Sequence, residues 1–198
     1  MGQTRIMSFC AAAFLLATAT AGLGQTSAFP KPERSPWLIP KMSGPVTLDG
    51  LSIEEAWQGI ASLPLITIFP TFGNPPSEKT EILLGHDDSF IYIAARLYDR
   101  EPDKIQSPSK KRDYPNTNSD FVGVFFDTFN DKENALGFCT TPAGLRWDGM
   151  VVNDAMRRSI NESFVNLSWN TFWDVEVARN DQGSFVEMRI PFSSLRFQ

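Results

Sequence analysis

The side chains best suited to holding a ligand are aromatic. Trp147 stands between Arg146 and Asp148 beside a turn, Trp169 lies in the polar run Asn166-Leu167-Ser168-Trp169-Asn170, and Tyr114 sits in a Pro/Asn loop. An exposed aromatic face stacks a ring, and polar groups beside it fix the ring's substituents. A second grouping is Asp127, Asn130 and Asp131, an oxygen-rich turn of the donor type that a hard cation such as calcium takes. Asp49, Asp87, Asp88 and Asp120 offer oxygens elsewhere, and none of these acids fits an EF-hand loop. Catalytic groupings are missing from the sequence: it has no Gly-x-Ser-x-Gly, no His-Glu-x-x-His and no Cys/His zinc spacing. The one histidine, His86, alternates with Ile82 and Leu84, which is the pattern of a structural side chain.

Short strands carry these groups. In Phe90 to Asp99, Ile91, Ile93, Ala95 and Leu97 share one face, while Tyr92, Arg96 and Tyr98 share the other. That period of two predicts a half-buried strand. Glu81 to His86 precedes it across the turn Asp87-Asp88-Ser89, so the two form a hairpin. The nearly continuous apolar run Phe121 to Asp127 predicts a central strand buried on both faces. Asn134 to Thr140 and Leu145 to Val152 flank the turn Thr141-Pro142-Ala143-Gly144, and Phe172 to Arg179 and Phe185 to Ile190 flank Asn180-Asp181-Gln182-Gly183. Trp173 falls on an apolar face and reads as core. Regularly spaced short strands predict an all-β, antiparallel sandwich of the jelly-roll or immunoglobulin-like kind. One short helix is expected after Gly50, with Ser52 as its N-cap, Glu55 completing a capping box and Trp57 packing inward.

The chain has 198 residues and a formal net charge of -5, room for one domain with a sizeable core. Its only basic cluster, Lys110-Lys111-Arg112, is followed by Asp113 and reads as a solvated loop. Nucleic acid is therefore not an expected partner, because phosphate binding needs clustered cations. Residues 1–28 read as a signal peptide: Arg5, then the apolar stretch Cys10 to Ala17, then small residues up to Ala28. That stretch is too short and too diluted by Thr and Gly to span a bilayer, so the mature chain is expected to lack a transmembrane segment. The destination is the periplasm, the outer membrane or the exterior. Residues 29–45 read as a Pro-rich linker and 46–198 as the domain. Cys139 is the only thiol after the leader, so no internal disulfide supports the fold, and its strand-like setting makes it a small buried hydrophobe.

Five segments resemble, in order, the family 9 carbohydrate-binding modules. They are Val46-Thr47-Leu48-Asp49-Gly50 with Glu54-Glu55-Ala56-Trp57; Asp87 to Ile93; Tyr98-Asp99; Ser119 to Asp127; and Val186-Glu187-Met188-Arg189-Ile190-Pro191-Phe192. The stretches Asp127 to Asp131 and Pro191 to Phe197 most resemble a bacterial subgroup in which such a module begins a longer exported, often membrane-associated protein. The resemblance implies a β-sandwich, non-catalytic polysaccharide binding linked to carbohydrate catabolism, and a structural calcium ion. Trp147, Trp169, Tyr114 and Arg146 are then the candidate sugar contacts, and Asp127, Asn130 and Asp131 the candidate metal ligands. Two departures stand out. The family's sugar-sandwiching Trp before the Asp120 strand is replaced by Tyr114-Pro115-Asn116-Thr117-Asn118-Ser119, and the chain stops at Gln198, before the family's last strands. An open edge or gap is therefore expected beside the strand ending at Ile190. Two other readings stay open: an envelope interaction domain that binds no sugar, and a fragment of a glycoside hydrolase. The second would need one specific pair of carboxylates, and 23 acidic residues single out none.

Overall fold

A computed structural model describes residues 37–113, 118–155 and 165–195. The leader, the first part of the linker and Tyr114 lie outside the described residues. Leu38–Gln198 forms one compact unit, and among its described residues the regular structure is strands with single 3-10 turns. One sheet contains β1 (Thr80–His86), β2 (Phe90–Tyr98), β7 (Asp174–Asn180) and β8 (Gly183–Pro191), in the order β1-β2-β8-β7. The other contains β3 (Val122–Phe126), β4 (Ala135–Thr140), β5 (Arg146–Val151) and the short β6 (Val165–Asn166), in chain order. Every pairing within them is antiparallel.

The core lies where the two inner faces meet. Ile91, Ile93 and Ala95 of β2 and Val186, Met188 and Ile190 of β8 pack with Leu136 and Phe138 of β4, and Val122, Val124 and Phe126 of β3 close over them. Phe138 sits at the centre, with the edges of Trp173 and Trp169 at 5.5 and 5.9 Å between ring centroids. These faces follow from alternation along each strand. The hairpin of β1 and β2 turns as expected: the Asp87 carboxylate accepts the N–H groups of Ser89 and Phe90, each at 2.7 Å, and the Tyr92 hydroxyl at 2.9 Å. His86 is structural, with Nδ1 2.9 Å from the Asp87 carbonyl and its ring edge-on to Phe192.

Several expectations need correction. β2 is not half-buried: Tyr92 and Ala94 on its second face are covered by Trp57 and Leu83. β3 is an edge strand, not a central one, since among the described residues it pairs only with β4. The strand ending at Ile190 is not at an edge either, because β2 and β7 flank it. The first ordered pairing precedes Val46: the Met42 N–H donates to the His86 carbonyl at 2.7 Å and the His86 N–H to Pro40 at 3.0 Å. The expected helix is a single 3-10 turn, Glu55–Trp57, without a side-chain cap. Ser52 adopts a φ of 51° and is buried, and its hydroxyl accepts from Arg96 Nε at 3.0 Å instead of capping.

Candidate binding surface

The outer face of the β3–β6 sheet carries the aromatic grouping. The registers place Gly123, Cys139 and Trp147 in one cross-strand row, and Phe125, Gly137 and Gly149 in the next. Gly137 explains how large rings lie down on a sheet. A Cβ there would fall 2.6 Å from the Phe125 ring and 3.0 Å from Trp147. Glycine in a strand marks such a close approach. The two rings meet edge to face at 6.4 Å. Together with Phe121, Cys139, Leu145 and Val165 they line a hollow of about 250 Å³. Its rim is open: Phe121 is 66% and Phe125 53% exposed, whereas Trp147 is only 8% exposed.

The hollow has apolar chemistry. None of its described lining residues is charged. Burial pushes the Cys139 thiol up to about 12, so at neutral pH it is no thiolate nucleophile. Thr141 also lines the hollow, and its buried hydroxyl has no hydrogen-bond partner among the described residues. A buried hydroxyl without a partner carries a desolvation penalty that a ligand's polar group could offset.

The candidates chosen from the sequence separate here. Trp147 belongs to the hollow but is a wall, not an exposed platform. Its neighbours Arg146 and Asp148 cannot assist it, because successive side chains of a strand point to opposite faces. Arg146 instead donates from Nη1 to the Trp173 carbonyl at 3.1 Å. It also lines a polar cleft with Lys110, Asp174, Glu176 and Arg179. Trp169 packs into the inter-sheet core against Phe138, not in a free loop. Tyr114 lies outside the described residues. Phe121 and Phe125 are rim residues that the apolar run disguised. The signal available in the sequence was Gly123 inside that run, which is unusual in a strand buried on both faces.

The oxygen-rich turn is held by its own backbone. Asp127 accepts the N–H groups of Asp131 at 3.2 Å and Lys132 at 2.9 Å. Asp131 accepts those of Glu133 and Asn134, each at 2.8 Å, and the Asn134 amide at 2.7 Å. These bonds pull the Asp131 carboxyl below its ordinary value, the Asn134 side chain most of all. The donors fit a hard cation in type, on a loop held by hydrogen bonds from its own backbone. A second acidic group, Asp49, Glu54 and Glu187, brings carboxylate oxygens within 4.8 Å of one another. Glu187 is committed there to three N–H donors: Asp49 and Gly50 at 3.0 Å and Trp57 Nε1 at 2.8 Å. Donors aimed at a carboxylate compete with a cation for the same lone pairs, so this group reads as a structural knot.

No family model matches the chain, and no curated protein matches it. Among solved structures it is similar to a family 9 carbohydrate-binding module from Caldicellulosiruptor kristjanssonii in complex with cellotriose. The TM-score is 0.49 at 18% identity, covering 77% of this chain and 66% of that one. A family 9 module of that organism in complex with glucose gives a TM-score of 0.48 at 18% identity, covering 78% and 68%. The chain therefore spans slightly less than two thirds of the first of these relatives.

Proposed function

We propose that the chain is an exported, non-catalytic module that binds carbohydrate, a polysaccharide chain in the first instance, and serves carbohydrate catabolism at or outside the cell envelope. The observation that carries this reading is the hollow walled by Phe121, Phe125 and Trp147 on the outer sheet face. The C–H face of a sugar ring is apolar and stacks on such rings, while its hydroxyls remain in water or meet groups such as Thr141. The five segments that resemble family 9 modules support the same reading from the sequence.

The test is migration through native gels containing xylan, soluble cellulose derivatives or other glycans. The wild type is expected to be retarded by at least one. Phe125→Ala should weaken that retention about tenfold, the loss of one stacking partner. Its fold should survive, because Phe125 is on the rim. Unchanged migration of the wild type with every glycan would sink the proposal. It would favour a second reading, an interaction domain without a sugar site, for which the uncharged lining of the hollow already speaks.

Calcium belongs to the same proposal, on the turn of Asp127, Asn130 and Asp131. An ion that binds only the folded chain stabilises it by mass action. Millimolar calcium should therefore raise Tm above that in EDTA, and Asp131→Ala should remove the difference. Identical melting curves in the two buffers would exclude the ion.

A further inference from the structure

The free edge of β3 is bare. Among the described residues this strand pairs with β4 alone, and its other edge meets no strand. An edge strand offers a row of backbone N–H and C=O groups to any second strand, and proteins guard such edges with charge, proline, bulges or a covering segment. The other long edges are guarded. On β1 the Ile82 carbonyl accepts the Leu63 N–H at 2.8 Å, and the His86 carbonyl accepts the Met42 N–H at 2.7 Å. β7 carries Asp174, Glu176 and Arg179, all exposed. β6 is only two residues long. In Val122-Gly123-Val124-Phe125-Phe126 there is neither charge nor proline, and its register with β4 runs without a bulge.

The side chains leave that edge open to a close approach. Val122, Val124 and Phe126 turn into the core. On the outer face Gly123 has no side chain, and the Phe125 ring leans over Gly137 of β4, away from the edge. Two acids bracket the strand. Asp120 accepts the Gln106 N–H at 2.8 Å, and Asp127 accepts those of Asp131 and Lys132, so both are held at the ends.

This pattern is self-complementary. A two-fold axis through Val124, perpendicular to the sheet, brings β3 of a second copy alongside, antiparallel and with the same face outward. Val124 then meets its own counterpart, Gly123 meets Phe125 and Val122 meets Phe126, so the whole strand pairs. Each ring lies across from a glycine, a pairing that avoids ring against ring and supports glycine in a sheet. The inner-face positions are apolar on both sides of the join. Asp127 falls across from Phe121, and Asp120 across from Thr128, so no carboxylate faces another; like charges directly opposite would be destabilising. A strand of an unrelated protein would meet the same backbone, but only a second copy is bound to bring the matching glycine, ring and acid positions.

We propose that two copies of the chain join edge to edge through β3, antiparallel about Val124, so that their β3–β6 sheets become one continuous sheet. The join supplies roughly four to six backbone hydrogen bonds over a small area, so the dimer is a weak one, with a Kd of about 1–100 μM. The proposal is independent of the sugar-binding reading, and its test contains no glycan.

The experiment is analytical ultracentrifugation of the full chain across that concentration range, wild type against Phe125→Lys. The leader is itself apolar, so the difference between the two proteins is the quantity read. Phe125 is exposed, and a lysine guards an edge, so Phe125→Lys should weaken dimerisation about tenfold or more with Tm unchanged. F69K/F72K, which charges a separate exposed apolar loop, should leave dimerisation as it is. As a second measurement on the wild type alone, amide exchange in Val122 to Phe126 should slow as the protein is concentrated, while exchange in β7 should not. A monomer at every concentration overturns the proposal and leaves the edge to a strand of another protein. So does a dimer that Phe125→Lys leaves intact, a dimer that F69K/F72K abolishes, or exchange in β3 that does not depend on concentration.

Discussion

Glu187→Ala is expected to destabilise the fold by about 3–4 kcal/mol, read from chemical denaturation. Glu187 stands in the middle of β8 on the outer face of its sheet, yet it is fully buried. The Asp49–Gly50 segment lies over it, and two backbone N–H groups from that segment and Trp57 Nε1 all donate to its two oxygens. Gly50 is needed for the approach. Its φ is +86°, and a Cβ there would fall 2.5 Å from the Ala178 backbone nitrogen. Alanine at 187 removes the acceptor and leaves three donors facing a cavity. Glu187→Gln keeps the shape but turns an amide NH2 towards one set of donors, so it should cost less than alanine and more than nothing. Burial pushes the Glu187 carboxyl above the ordinary 4.5, outweighing the three donors that pull it down. The folded chain therefore holds this proton to higher pH than the unfolded chain does. The stabilisation linked to it is whole below the ordinary value and is lost as pH rises through the raised one. The deficit of Glu187→Gln relative to wild type should accordingly be largest in acid and shrink above that window. An alanine variant within about 1 kcal/mol of wild type would show that water, not Glu187, satisfies the donors.

That knot also explains why part of the molecule was legible in the sequence. The residues carrying the resemblance, Asp49-Gly50, Trp57 and Glu187, are far apart in the chain and converge on one hydrogen-bonded cluster. Their spacing encodes fold, and fold is what they predicted well. Strand faces were legible for the same reason: burial of Ile91, Ile93 and Ala95 is a local consequence of alternation. Pairing order was not, because it depends on partners distant in sequence. Phe121 to Phe126 is apolar on both faces, and periodicity cannot distinguish a central strand from an edge strand whose outer face carries an aromatic hollow. Ser52 failed as a cap because a tertiary partner, Arg96, claims its hydroxyl. The site was the least legible part. Trp147 was chosen for its polar neighbours, yet β-strand geometry sends Arg146 and Asp148 to the opposite face.

The Asp148 carboxylate, so separated from Trp147, ties three separate segments of the chain together, and Asp148→Ala should cost about 3–5 kcal/mol. Asp148 is buried opposite Phe138. It accepts the Thr171 N–H at 3.0 Å and Trp173 Nε1 at 3.2 Å, and it pairs with Arg112. Arg112 also donates to Asn170 Oδ1 at 2.7 Å. One carboxylate thus fixes the ring of Trp173 against Phe138 and ties the Arg112 loop to the strand entering β7. Arg112, read from sequence as part of a solvated cluster, is the counter-ion of a buried acid. Arg112→Ala should therefore also be severe, because it strands the Asp148 charge in the interior. Removing both should cost less than the sum of the single changes, by about 1–3 kcal/mol, since the double variant leaves neither charge without its partner. Simple additivity across that cycle would mean that Arg112 is screened by water and that Asp148 acts through Trp173 and Thr171 alone. Asp148→Asn separates the two roles. Its amide oxygen can still accept from Trp173 while the charge is gone, so a cost close to that of alanine would assign the energy to the ion pair, and a much smaller cost would assign it to the tryptophan.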